Sequence, residues 1–281
     1  MLPQPIADST IKLGKKILRV YQAMHYDAIS VGPFDLASGY ELLVSAQAKE
    51  LPLVSANIYK KDGTLLFSPY RSVEKKGVSI AFVGLTDPSS MSAGITISDG
   101  IEELKKLLPE LVKTQDLIVL LTSFRQSELK KTIDQFPDID IIIGADYRIG
   151  NDRNQLLGTA IYTQPIRQGR FLTYLTINWN GSPWLQHKNE EKVRLNQLLK
   201  AVNRQLITIK PRKQESKEHF EQRKKVIVAN RKKILADIHR INQQKPVDPE
   251  DRSSIYSLVK LPLSKDIPSD PEIDRIFNKS R

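Results

Sequence analysis

The chain contains no cysteine, which excludes disulfides, thioether-linked haem and cysteine-ligated zinc. That absence is neutral about compartment, because a cysteine-free chain works in either redox setting. No run of about 18 apolar residues occurs, so no membrane-spanning helix is expected. The first twenty residues, MLPQPIADSTIKLGKKILRV, lack the apolar core of a signal peptide and read as a loop followed by an amphipathic helix. What is present suffices for a folded body. The hydrophobic fraction is 40% over 281 residues, enough for one large domain, or one domain with an appendage.

Negative charge is scarce in only one place. The formal net charge is +11, and residues 188–245 hold 17 of the 43 Lys/Arg but 6 of the 32 Asp/Glu. The remainder therefore carries 26 of each sign and is neutral. Any argument from charge to an anionic partner concerns that one segment.

Apolar spacing divides the chain. Residues 8–25 repeat apolar positions at helical intervals (Ile11, Leu13, Ile17, Leu18, Val20, Met24). DAISVG (27–32) reads as a short strand, 40–50 as a helix and LPLVSAN (51–57) as a strand. KKDG (60–63) is a turn whose Asp-Gly pair supplies positive φ. Two strands are expected over 64–88, the second nearly all apolar and so covered on both faces. SSMSAGITISDG reads as a polar loop. A helix over 101–114, a buried strand over 116–123, a helix over 128–136 and a buried strand over 139–146 follow. GTAIYTQP and RFLTYLTINWN close the region as alternating strands, with Phe171, Thr173, Leu175 and Ile177 on one face. Strands alternating with helices predict an α/β layered domain with a mixed sheet.

After residue 188 the pattern changes. Leu195, Leu199, Val202, Leu206 and Ile209 form a heptad seam, broken at Pro211. Phe220, Ile227, Ile234 and Ile241 then recur every seven residues. This predicts an antiparallel helical (coiled-coil) hairpin over 188–245, inserted near the C-terminus. Residues 246–281 contain Pro repeatedly, with one strand over 254–263 expected to return to the main domain and a short terminal helix capped by Asp270 and Pro271.

Residues 26–180 carry a resemblance. YDAISVG before a Gly turn and helix, then LPLVSAN, GVSIAFVGLTDP, DLIVLLTS, IDIIIGAD and QPIRQGRFLTYLTINW, resemble the calcineurin-like metallophosphoesterases of the 5′-nucleotidase branch. The resemblance implies a layered αββα sandwich with mixed sheets over residues 1–187. It also implies a two-metal phosphoester hydrolase, in which metals about 3.5–4 Å apart clamp the attacking and leaving oxygens. Members are commonly exported, so a periplasmic location would require an upstream signal peptide. The family's first two motifs belong on strands before the helix at 8–25, so the first strands are expected to be missing here.

Carried over residue by residue, the motifs have changed. The Gly-Asn-His-Glu/Asp turn aligns with Gly32-Pro33-Phe34-Asp35, so the bridging Asn and the catalytic His are Pro and Phe. The His of a Leu-Ser-His turn aligns with Ser123. Gly-Gly-His-x-His aligns with Gly144-Ala145-Asp146-Tyr147-Arg148. Pro has no side-chain donor or acceptor, and Phe cannot protonate a leaving group. Asp35 and Asp146 are residual oxygen ligands; Arg148 would repel a metal. No catalytic residue and no cofactor is assigned, and a divalent metal (Mn, Mg, Zn or Fe) is implied only if the site is active.

Three readings follow. The first is a non-catalytic metallophosphoesterase-like domain kept as a scaffold or binding module, with Arg125, Arg148 and Arg167 or Arg170 as candidate anion contacts. The second is an active, divergent metal-dependent phosphoesterase. The third is the basic hairpin as an arm for a protein partner, for self-association or for an anionic surface. Nucleic acid is disfavoured, because the hairpin lacks interleaved aromatic residues for base stacking.

Overall fold

The computed structural model describes residues 8–88, 94–146, 148, 153–165, 171–181, 184–186, 188–212, 215–243, 254–263 and 267–278. In chain order the elements begin with α1 (Asp8–Ala23), β1 (Ile29–Ser30), α2 (Tyr40–Gln47), β2 (Leu53–Val54), β3 (Ile58–Lys60), β4 (Tyr70–Lys75) and β5 (Val78–Leu85). There follow β6 (Ile95–Ile97), α3 (Gly100–Thr114), β7 (Leu117–Thr122), α4 (Gln126–Gln135), β8 (Ile141–Gly144), β9 (Arg153–Leu157) and β10 (Ala160–Gln164). The last are β11 (Phe171–Asn178), β12 (Trp184–Gln186), α5 (Lys188–Thr208), α6 (Lys217–Gln243), β13 (Ser254–Pro262) and α7 (Pro271–Asn278). The chain divides into two compact units, Met1–Thr173 with Lys260–Arg281, and Tyr174–Val259.

The first unit is built on a six-stranded sheet of order β4-β5-β7-β8-β10-β9. β5, β7, β8 and β10 run parallel, while β4 and β9 pair antiparallel at the two edges. The central strands are the apolar runs expected of strands covered on both faces. On one face Ala81, Val83, Leu85, Ile118, Leu120 and Ile142 pack against Leu104, Leu108 and Leu111 of α3 and Leu129 and Ile133 of α4. Burying each such Leu or Ile contributes roughly 1.5–3 kcal/mol.

Gly84 lies on the opposite face and meets β2. A Cβ there would stand 2.3 Å from the Val54 carbonyl oxygen, so the close approach of the two layers requires glycine. β1 and β2 form a parallel pair, and β3 and β6 an antiparallel one. A second core of Leu18, Val31, Leu43, Ala46, Leu53, Ile58 and Phe67 joins these short strands to α1 and α2. Among the described residues the expected second sheet is thus two short pairs and not one extended sheet. β6 corrects the reading of its segment as loop: three residues of alternation are too few to declare a strand in isolation. Asp270 caps α7 as expected, accepting from the N–H groups of Glu272 (2.8 Å) and Ile273 (3.3 Å). α7 lies on α1, and Lys16 Nζ donates to its Phe277 carbonyl at 3.0 Å.

In the second unit Leu195 and Val202 of α5 bury against Ile227 and Ile234 of α6, with Leu199, Leu206, Ile209 and Ile238 alongside. Arg231 Nε donates to Asn203 Oδ1, and Arg223 Nη2 to the Lys210 carbonyl. Contacts therefore descend along one helix as they ascend the other, and the two run in opposite directions. β11, β13 and β12 form a three-stranded sheet. The strand expected over 254–263 lies in this sheet, between β11 and β12; β12, three residues long, had no readable signal. Buried Trp184 packs on Trp179 and Tyr256, with ring centroids 5.0 and 6.2 Å away. Among the described residues no helix is long and apolar enough to cross a membrane.

Candidate functional site

Parallel strands that end level deliver their following loops to one place, and in open α/β sheets that crevice is where ligands bind. Leu85 of β5 is in register with Thr122 of β7, and Thr122 with Gly144 of β8. The loops after these residues bring Asp87, Ser123, Asp146 and Arg148 together. Arg148 Nε lies 2.6 Å from Asp146 Oδ1, and Arg148 Nη2 lies 2.8 Å from Asp87 Oδ2. Nη2 also donates to the Ser123 carbonyl at 3.3 Å, and the Asp87 N–H donates to Ser123 Oγ at 2.9 Å. Three strand-end loops are thus tied by one guanidinium.

Burial decides what this network is worth. The Asp146 and Asp87 side chains are 4% and 6% exposed, and Arg148 is 23% exposed. Ion pairs so far from water are screened little, and each partner is costly without the other. Burial works against the Arg148 charge, but the hydrogen bonds to Asp146 and Asp87 outweigh it and hold the guanidinium above its ordinary range. The support extends below Asp146. Gln164 Nε2 donates to the Asp146 carbonyl at 3.0 Å, and Tyr162 Oη donates to Gln164 Oε1 at 2.7 Å. A Cβ at Gly144 would stand 2.8 Å from the Tyr162 ring, so glycine leaves the room Tyr162 needs.

A second knot positions the turn after β1. Asn57, fully buried, donates through Nδ2 to the carbonyls of Thr86 (2.8 Å) and Ser98 (3.1 Å) and accepts the Thr86 N–H at 2.9 Å. Thr86 Oγ1 donates to the Val31 carbonyl at 2.6 Å. This bond joins the residue before Gly32 to the residue before Asp87. Asp35 Oδ2 accepts the Gly32 N–H at 2.7 Å and closes the turn. Burial raises the Asp35 pKa, and the bond from Gly32 opposes the rise. Phe34 projects at 67% exposure.

Ser123, Asp146 and Arg148 therefore meet directly, with Gly144 beneath them, and the turn of Gly32, Pro33, Phe34 and Asp35 is hitched alongside. Asp35 is a turn-closing carboxylate. The Nε and Nη2 groups of Arg148 face carboxylates, not an anion site. Arg125 is exposed at the N-cap of α4, where Glu128 Oε2 accepts its backbone N–H at 3.1 Å. Arg167 and Arg170 lie outside the described residues. Asp87, Asn57 and Gln164 were not among the residues singled out from the sequence. Asp87 had a signal, an acidic residue just past the carboxyl end of a buried apolar strand; Asn57 and Gln164 had none.

No family model matches the chain. A 5′-nucleotidase of Vibrio cholerae is 36% identical over 108 residues, which is 34% of this chain and 20% of that protein. The metallophosphoesterase YunD of Bacillus subtilis is 28% identical over 138 residues, 46% of this chain and 30% of that one. The solved 5′-nucleotidase precursor of Thermus thermophilus superposes with a TM-score of 0.51 at 19% identity, over 60% of this chain and 39% of its own. Over these stretches the chain is similar in sequence to 5′-nucleotidases and a metallophosphoesterase, and it shares the 5′-nucleotidase fold. The sulfate thiohydrolase SoxB of Thermus thermophilus shares the fold as well, with a TM-score of 0.54 at 17% identity over 62% of this chain and 34% of that one. The chain's match spans about a fifth of the length of the Vibrio relative.

Two-metal hydrolysis requires several oxygen and nitrogen ligands converging on each ion. Among the described residues no three His, Cys, Asp or Glu side chains gather. The two buried carboxylates that do meet share Arg148. The described residues do not fit a pair of divalent metals.

Proposed function

We propose that this chain is a metallophosphoesterase-like domain that does not hydrolyse phosphoesters and serves as a scaffold or binding module. The observation that carries the reading is the turn after β1, where the family's Asn and His are Pro33 and Phe34 and the phenyl ring is 67% exposed. A phenyl ring neither binds a metal nor gives a proton to a leaving alkoxide, and general acid catalysis supplies roughly 10²–10⁴-fold. The test is a phosphatase screen with nucleoside monophosphates and p-nitrophenyl phosphate in Mn²⁺ or Co²⁺. The expected rate equals the protein-free blank; metal-dependent turnover would establish the divergent hydrolase instead.

A specific observation on α6 supports a second role, with α5 and α6 read as an inserted coiled-coil arm. The arginines of α6 are engaged: Arg223 with Glu215, Arg231 with Asn203 and Arg240 with Asp237. Lys224, Lys225 and Lys232 have no ion-pair partner among the described residues; with the single carboxylate Glu221 they ring a notch of about 320 Å³ floored by Val228 and Ala229. Positive charge around an apolar floor suits an acidic protein segment carrying an apolar anchor. Crosslinking in cell extract, compared between wild type and Lys224→Glu/Lys225→Glu/Lys232→Glu, tests it. A crosslinked protein that survives the triple change argues against this face.

A further inference from the structure

We propose that Arg148 is the built-in cation of this site, holding the Asp87–Asp146 pair that would otherwise be open to a divalent metal. The inference deepens the non-catalytic reading and rests on it. Two buried carboxylates that both stay ionised need a positive charge between them, because each alone resists leaving water and together they repel. In this fold that charge is a side chain. Arg148 Nε meets Asp146 at 2.6 Å and Nη2 meets Asp87 at 2.8 Å, so two donors of one rigid fork point at two different carboxylates.

The arginine is placed to do this by its own loop. Its backbone N–H donates to the same Asp146 Oδ1 at 3.0 Å that Nε contacts. Asp146 therefore orders the Arg148 backbone and side chain together, and Gln164 holds the Asp146 carbonyl from below. Through Nη2 the guanidinium also takes the Ser123 carbonyl. These contacts join the ends of β5, β7 and β8, the loops that a bound metal would otherwise have to gather. The fold thereby becomes independent of metal for its order at this end of the sheet. Removing the guanidinium leaves Asp87, Asp146 and the Ser123 carbonyl as oxygen donors, a set suited to a hard divalent cation such as Mg²⁺ or Mn²⁺.

Thermal melts of the full chain test this. Wild type is expected to melt at the same temperature with EDTA, with millimolar Mg²⁺ and with millimolar Mn²⁺. Arg148→Ala should melt lower by on the order of 10 °C, as expected when one partner of a buried pair is deleted from a chain of this size. Millimolar Mn²⁺ should return part of that loss where NaCl of equal ionic strength does not, and Asp87→Asn in the Arg148→Ala background should abolish the return. Arg148→Lys should fall between, because an ammonium lacks the fixed fork. A wild-type melt that moves by several degrees with EDTA or Mn²⁺ overturns the proposal, as does an Arg148→Ala protein that melts like wild type or gains nothing from Mn²⁺. If Arg148→Ala does not fold, the wild-type melts and Arg148→Lys decide. A wild-type melt that responds to Mn²⁺ without hydrolysis defeats this inference and spares the non-catalytic reading; phosphoester turnover defeats that reading.

Discussion

Arg148 Nη2 sits 2.8 Å from Asp87 Oδ2, although 61 positions separate the two residues. The bond exists because β5 and β8 both flank β7 in parallel, with their carboxyl ends level. Sheet topology brings the loops together, and a charged pair fixes them. One guanidinium bridges the two carboxylates.

Gly84 should tolerate no side chain. Its Cβ would meet a backbone carbonyl at 2.3 Å, and backbone yields less easily than a side-chain tip. Gly84→Ala is expected to cost roughly 2–3 kcal/mol in urea denaturation. Gly63→Ala, at a position with φ of 83° and open space around it, should cost only about 1–2 kcal/mol.

Asn57 should be more damaging to replace than its size implies. Its amide serves Thr86 twice and Ser98 once inside the core. Asn57→Ala strands buried backbone groups, each worth about 1–3 kcal/mol. The expected result is a stability loss of about 3 kcal/mol, with faster amide hydrogen exchange at Thr86. A loss under about 1 kcal/mol would mean that the knot does not hold the β1 turn.

Asp140 should make the fold less stable as pH rises from about 4 to 6. Burial pushes its carboxyl up to about 6, against the opposing bond from the Ile118 N–H. The native state then holds a proton that the unfolded chain has released, so stability is fully present below the unfolded pKa and declines as pH passes the folded one. Asp140→Asn should match wild type near pH 4 and exceed it by about 1–2 kcal/mol above pH 6, after allowance for partial solvent screening. Chemical denaturation across that range checks the slope; an unchanged slope in the variant would assign it elsewhere.

Ile234 and Val228 lie on the same helix in different surroundings. Ile234 is 6% exposed within the α5–α6 core, and Val228 is 50% exposed. Ile234→Ala should cost roughly 2–4 kcal/mol, and Val228→Ala under about 0.5 kcal/mol. Circular dichroism melts of the two variants measure the difference. Equal effects would place Val228 in a packed interface.

The parts legible from sequence are those whose signal is local. β5, β7 and β8 are continuous apolar runs, and α3 repeats Leu104, Leu108 and Leu111 on one face. Residues that act across the fold were less visible. Asn57 reaches Thr86, 29 positions away, and its importance follows only from the layering of β2 and β3 over the main sheet. β6 and β12, at three residues each, are strands because partners exist for them, not because of their composition. At the candidate site the motif positions themselves were readable, but the pairing of Arg148 with Asp87 was not. An arginine aligned with a ligand position reads as a residue that repels metal; only the geometry gives it carboxylate partners.

Manganese binding separates a site closed by Arg148 from one open to metal. Free Mn²⁺ is counted by electron paramagnetic resonance as wild type and Arg148→Ala are titrated at neutral pH. Wild type is expected to bind none below millimolar concentrations, and Arg148→Ala to bind at one site per chain that Asp146→Asn removes. One or two Mn²⁺ ions held by wild type at micromolar concentration would contradict it.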